Sequence, residues 1–407
     1  MDSPRSVENC LKLRQLATNL LGEITEYTLR GDLDQAQESS LQLRILDLVG
    51  NIRDLVAQPQ DQWLLHMIES NEMAAIKLFV HWHVFEHIPT GQSISYAQLS
   101  DQVRVDPALL VRVARMLIST GVLEHDGSDG VAHTAKSKIF LPGNPYGDLD
   151  QVVTEYGLLV CDMIRYFENN RRNEPDSVGP SPFTFTKGMQ HNDMWGIYDD
   201  HEKKEQFMRA MTALDRLAPI VGAYDFSWIK ASTEANNDRI LLVDVGGGSG
   251  HAVRAICESI DLPLEHCVLQ DKEPVISRIK ETGNLSRLNL MSIDMHEEQP
   301  VQVYYIRHCL HDYDDKKAQR ILRHISQAMA ADSTLLIAEH VVEWPPKPES
   351  AAMDMLMLAV GGKERTATEW ESLVRSGGMT LKSIHWDPAS CHCIIQCSKA
   401  TLTVGQT

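Results

Sequence analysis

Positive charge is scarce in this sequence: 38 lysines and arginines stand against 56 aspartates and glutamates, for a formal net charge of −18. So acidic a chain repels polyphosphate and anionic membrane, which argues against nucleic acid and lipid surfaces as partners. Long apolar runs are missing too. No stretch reaches eighteen apolar residues, so no segment reads as a membrane helix. The opening MDSPRSVENCLKLRQL lacks the unbroken apolar core of a secretory signal, and a cytosolic protein is expected. Eight cysteines are spread too thinly for a disulfide framework, so reduced buried thiols are expected. Cys391 and Cys393 in SCHCIIQC alternate as a late β-strand does, and the strand outweighs a metal-binding reading. There is no internal repeat and no low-complexity segment. The NLS at Asn284 matches a glycosylation pattern that means nothing without secretion.

What the chain does have is size. Its 407 residues exceed what one core usually holds, and with 43% hydrophobic residues to fill them, two domains are expected, 1–180 and 181–407. The first reads as mainly helical. In AAIKLFVHWHVFEHI, the residues Ile76, Phe79, Val80 and Val84 fall at helical spacing and form one apolar stripe. Two short helices should follow, capped by Ser95 and by Asp106 with Pro107 in the first turn. GVLEHDG and VAHTAKSKIFL then flank a turn, which completes the helix, helix, hairpin order of a winged helix. Winged helices often read DNA, yet the second helix offers only Arg112 and Arg115, so an interaction or dimerisation module is the better reading. The Pro-rich NEPDSVGPSPF is expected to link the halves.

From Arg239 onward, strand-length apolar runs alternate with helical stretches: RILLVDV, HCVLQD, LNLMSID, VQVYYIRH and STLLIAEHVV. That rhythm predicts an α/β, Rossmann-like sheet covered by helices on both faces, with LKSIHW and CHCIIQCSK closing it as an antiparallel pair. The first strand ends at Asp244 and runs into Gly246, Gly247, Gly248 and Gly250. Glycines there let the main chain turn tightly and press against a ligand. Their spacing is one residue tighter than the dinucleotide fingerprint G-x-G-x-x-G, which weakens a nicotinamide reading. Asp271 ends the next strand, 21 residues past Gly250 (271 − 250), where a carboxylate can take both hydroxyls of a ribose. Glycine turn plus ribose acid points to an adenosine-containing cofactor.

VDVGGGSGH with LQD downstream resembles the glycine motif of class I S-adenosylmethionine methyltransferases. YYIRHCLHDYDDKKAQRIL, LLIAEHVV and DMLMLAVGGKERTATEWESLV, with SPFTFTKGMQHNDMWGIYDDHEKKEQFMRAM upstream of them, narrow the resemblance to the caffeate-type small-molecule O-methyltransferases, above all those of fungal secondary metabolism. The resemblance runs from about Gln62 to Ser398 and implies an S-adenosylmethionine cofactor, no metal, a homodimer and a small-molecule acceptor. It makes His311 of HDY the general base, flanked by Glu339 of AEH and Glu364 of GKERT. For the cofactor it implies the glycine turn at the methionine end, Asp271 at the ribose, Asp294 and Met295 at the adenine, and Arg307 approaching the adenine. It matches Phe183, Met189 and Trp195 to the segment covering cofactor and acceptor. Met355 and Met357 could line the acceptor cavity, and His133 could reach it from the winged-helix half. The chain departs from the pattern at Lys272 and Glu273, and it lacks the usual glycine pair before Asp294. The expected reaction is methyl transfer to a phenol or enol of a polyketide-like molecule. The alternative is a pericyclase or dehydratase of the same fold that keeps the cofactor unreacted.

Overall fold

The structure is a computed structural model that describes residues 6–31, 35–127, 129–160, 163–176, 179–190, 201–214, 218–231, 239–283, 285–292, 302–387 and 391–400. It divides into two compact units, Met1–Gly147 and Asp148–Thr407. The division falls earlier than the expected 180, because the segment after Gly147 packs within the second unit. Arg209 Nε donates to Asp148 Oδ2 at 2.7 Å, Tyr156 meets Phe183 edge-on at 4.8 Å, and Lys187 pairs with Glu155 at 2.7 Å. The Pro-rich stretch is likewise held inside this unit, with the Tyr166 hydroxyl donating to Pro180 O at 2.9 Å.

In the first unit the predicted winged-helix order is present. Ser95 and Gln98 form a capping box on the helix Tyr96–Val103, and Asp106 Oδ1 accepts from Leu109 N at 3.0 Å to start Pro107–Ser119. Strand β1 (Ile94–Ser95) pairs with β3 (Gly130–His133), which forms a hairpin with β2 (Leu123–Asp126). The expected apolar stripe is interrupted: Gln62–His81 ends at a left-handed His83, and Val84 opens a separate turn, Val84–His87. Val84 still joins Phe79, Leu99, Leu110 and Leu117 in one core. The helix Val7–Leu29 buries none of its side chains, and Leu11, Leu21 and Leu46 are all more than 60% exposed.

The second unit is built on one mixed sheet. Its strands are β4 (Leu242–Val245), β5 (Cys267–Asp271), β6 (Asn289–Ser292), β7 (Val303–Arg307), β8 (Thr334–Val342), β9 (Arg365–Thr366), β10 (Met379–Trp386) and β11 (His392–Lys399), ordered β10-β11-β8-β7-β4-β5-β6 with β9 on β8. β4 to β9 pair in parallel. The closing β10–β11 pair is antiparallel, as expected, and β11 also runs antiparallel to β8. Cys393 is therefore a strand residue.

Alternate residues of each parallel strand face opposite layers. Val243, Val245, Tyr304, Ile306, Leu335 and Ile337 pack under the helix Asp315–Ala328, while Leu242, Leu269, Tyr305, Leu336 and Ala338 pack under His251–Ile260. Burial on both faces explains why these strands read as continuous apolar runs. Trimming Leu322, which is fully buried, to alanine should cost ~2–5 kcal/mol of stability. The order reverses between β4 and β7, since the chain goes from β4 to β5 and β6 and then returns to the far side of β4. Ligands of such sheets sit at that switch point, beyond the carboxyl ends of the strands. No helix among the described residues is long and apolar enough to cross a membrane.

Candidate active site

Both loops leaving the switch point carry candidate residues. After β4 the backbone folds back on β5, with Gly246 N and Gly247 N donating to Gln270 O at 2.8 and 3.2 Å. Gly247 has no room for a side chain: a Cβ would lie 2.5 Å from Asp244 Cγ and 2.2 Å from Leu269 Cδ1. Gly248 adopts φ +55 and donates its N–H to Asp271 Oδ2 at 2.9 Å, while Asp271 Oδ1 accepts from Lys272 N at 2.7 Å. Burial lifts the Asp271 carboxyl above its ordinary range. The departure at Lys272 is a mild one, because that residue is the extended N-cap of the helix Glu273–Thr282.

Asp244 lies beneath the turn. Its Oδ2 has no hydrogen-bond partner among the described residues, and burial pushes the carboxyl up to about 7. An orphaned buried carboxylate oxygen is costly unless something polar completes it. Arg307, at the end of β7, donates Nη2–H to Ala218 O at 2.7 Å and approaches His251 Nε2 at 3.3 Å, so it spans from β7 to the start of the helix that follows the glycines.

Past β7 the chain enters a left-handed His308 (φ 45) and then a single 3-10 turn, Leu310–Asp312. Glu339, wholly buried on β8, holds that turn. Its Oε1 accepts from Cys309 N, Leu310 N and His311 N at 2.9, 2.8 and 3.4 Å, leaving Oε2 at 3.4 Å from His311 Nδ1. Glu364 Oε1 sits closer, 2.8 Å from His311 Nδ1. Burial disfavours a charged His311 ring, but Glu339 and Glu364 outweigh it and raise the imidazole to about 10. In return His311 holds Glu364 below the usual carboxylate range against its own burial. Asp312 Oδ1 is 3.7 Å from His311 Nε2, too long for a hydrogen bond, and burial lifts this carboxyl to about 7. The structure thus brings together His311, Glu339 and Glu364, which lie up to 53 residues apart in the chain.

Three more histidines join them without having been anticipated. His308 lies 5.5 Å from the His311 ring and 5.2 Å from His392, and His340 Nδ1 is 3.6 Å from Glu364 Oε1. Burial pushes His308 well down and His392 to about 3, so both stay neutral beside a charged His311. Only strand register could have revealed this: β11 runs antiparallel to β8 and sets His392 opposite His340. Donor atoms of His308, His311 and Glu339 lie within 4.8 Å of one another and could hold a divalent cation.

The remaining candidates divide. Phe183 and Met357 share a buried apolar cluster with Val152, Tyr156, Ala210 and Val360, and the helix carrying Met357, Pro348–Val360, packs on the 310–312 turn. Met189 is half-buried, and Met355 is 43% exposed. His133 belongs to the first unit. It sits in the core of the first unit, where Nδ1 meets Ser137 Oγ at 2.8 Å and Nε2 meets Phe85 O at 3.0 Å, so both ring nitrogens are already engaged. Trp195, Asp294 and Met295 lie outside the described residues.

The geometry has counterparts. A model of the O-methyltransferase domain matches residues 167–380, and one of the O-methyltransferase dimerisation domain matches residues 65–143. The chain belongs to the O-methyltransferase family. Methyltransferase cfoD of Aspergillus candidus is 30% identical over 405 residues, covering 94% of this chain and 97% of its own. Methyltransferase pvhD of Talaromyces variabilis is 36% identical over 324 residues, covering 78% of this chain and 90% of its own. Among solved structures, OxaC in complex with sinefungin and meleagrin aligns at 21% identity and TM-score 0.79, over 95% of this chain and 99% of its own. A protein described as a pericyclic reaction enzyme aligns at 19% identity and TM-score 0.75, over 96% of this chain and 100% of its own. At these identities the two structures show the shared fold.

The family's cofactor is S-adenosylmethionine. The turn after β4 fits it: glycines strip the main chain bare, Asp271 stands over Gly248, and the orphaned Asp244 oxygen lies directly below.

Proposed function

We propose that this protein is an S-adenosylmethionine-dependent O-methyltransferase acting on the phenol or enol hydroxyl of a polyketide-like small molecule, with His311 as general base. One observation carries the reading: the His311 imidazole is clamped through Nδ1 between two wholly buried glutamates. When bound, the cofactor supplies a methyl group on a positively charged sulfur. The chain's own residues do the rest. With Nδ1–H donated to Glu364, the neutral form of the ring has its lone pair on Nε2, and it is in that form that Nε2 takes the acceptor's proton, so turnover should rise as pH approaches 10. Glu339 and Glu364 then stabilise the imidazolium. A ring raised to about 10 matches a phenol of pKa ~10, so the proton moves between groups of nearly equal basicity.

The glycine turn and Asp271 fix the cofactor, and the 310–312 turn fixes the base. Alignment of reacting groups is worth up to ~7–11 kcal/mol, against roughly 3–5 kcal/mol for a general base. Positioning therefore dominates. The same reasoning supports a homodimer: a dimerisation-domain match at 65–143 adjoins helices whose leucines stand in solvent.

The test is product mass. Incubation with S-adenosylmethionine and a panel of phenolic and enolic polyketides should add one methyl to oxygen and release S-adenosylhomocysteine. A rearranged or dehydrated product carrying no added methyl would replace this reading with the pericyclase alternative.

A further inference from the structure

Arg365 is a fully buried guanidinium, and burying an ion costs several kcal/mol unless its donors are matched. Here they are matched mainly by main-chain carbonyls from two loops. Nη1 donates to Leu310 O at 3.2 Å and to Lys363 O at 3.3 Å, Nη2 to Tyr313 O at 2.8 Å, and Nε to Asp315 Oδ1 at 2.9 Å. The plane lies over the Trp370 ring at 5.3 Å. Leu310 and Tyr313 bracket His311, and Lys363 precedes Glu364. The same two loops touch through their backbones, with Lys363 N donating to His311 O at 2.7 Å. Gly362 is pressed so closely that a Cβ would lie 2.0 Å from His311 O. Arg365 is itself anchored, because β9 pairs in register with β8, Arg365 opposite Val341.

We propose that Arg365 is the positioning residue of this site: its planar fork fastens the loop of His311 to the loop of Glu364 and thereby sets the contact between imidazole and carboxylate. The inference rests on the reading of His311 as the base. It explains why an arginine, at such a cost, stands where a packed apolar residue would serve stability as well. Lysine cannot substitute, since a single ammonium on a flexible stem cannot hold carbonyls from both loops in one plane. A residue acting through position alone should change turnover and the ionisation of His311 while leaving cofactor binding at the glycine turn unaffected.

The experiment compares the full chain with its Arg365→Lys and Asp315→Asn variants. For each, cofactor affinity is measured by calorimetry with S-adenosylhomocysteine, His311 titration by NMR of ¹⁵N-labelled imidazoles, and kcat and KM across pH. For Arg365→Lys the expected result is unchanged affinity for S-adenosylhomocysteine, a His311 titration moved toward acid, and a kcat lowered ~10²-fold, the scale of an ångström-sized misplacement. Asp315→Asn, which removes only the negative charge of the group accepting from Nε, should move the same two quantities less. If Arg365→Lys folds and loses thermal stability alone, with kcat and the His311 titration at wild-type values, the proposal is overturned. If Arg365→Lys does not fold, Asp315→Asn decides by the same criterion. His311→Ala, assayed in parallel, separates the two claims. Undiminished methyl transfer in that variant would refute the base, whereas the NMR titration still reports on Arg365.

Discussion

The two loops of the switch point achieve their ends by opposite means. After β4 the proposed cofactor site is made of main chain: glycines without side chains, one carboxylate accepting from Gly248, one buried acid beneath. After β7 it is made of side chains from distant segments, four histidines and two glutamates gathered from β7, β8, β11 and the stretch before β9. A backbone site is specified where it stands. A side-chain site exists only once the sheet has closed.

That contrast can be broken experimentally. The largest effect should come from His311→Ala, which is expected to lower methyl transfer by ~10²–10⁴-fold while affinity for S-adenosylhomocysteine stays at the wild-type value. Isothermal calorimetry beside a methyl-transfer assay reads both. Gly247→Ala should do the reverse. Its Cβ would overlap Asp244 and Leu269, overpacking that costs ~1–3 kcal/mol. Cofactor affinity should then fall by roughly ten- to a hundredfold, while His311 keeps its titration.

The smallest effect concerns Asp244. Its folded carboxyl is raised to about 7 from an ordinary value near ~4, so the folded state binds the extra proton. Its contribution to stability is present below that ordinary value and is lost as pH rises toward 7. Asp244→Asn should therefore flatten the fall in melting temperature of the ligand-free protein between those limits. An unchanged slope would show that the buried acid is compensated elsewhere.

The contrast also explains what could be read from the sequence. The α/β rhythm, the winged-helix order, the glycine turn and Asp271 are local patterns, and each is where it was expected. His311, Glu339 and Glu364 were assigned through family resemblance, since nothing local ties residues 53 apart. His340 and His392 were missed because their proximity depends on the β8–β11 register. Nothing in the sequence singles out Arg365, because its burial depends on β9 pairing with β8. The unit boundary was misplaced because a Pro-rich stretch signals a break in regular structure, and tertiary contacts such as Arg209 to Asp148 decide to which unit it belongs. His133 is expected to reach the acceptor cavity from the winged-helix half, and hydrogen bonds inside its own unit already occupy its ring.

The account depends most on an imidazole made strongly basic by two buried acids. The direct measurement is the NMR titration of His311 in the ligand-free protein with ¹⁵N-labelled imidazoles. The account predicts a ring that is protonated at neutral pH and titrates near 10, while His308 and His392 remain neutral. A His311 that loses its proton at or below ~6.5, the value of an unperturbed imidazole, would contradict it.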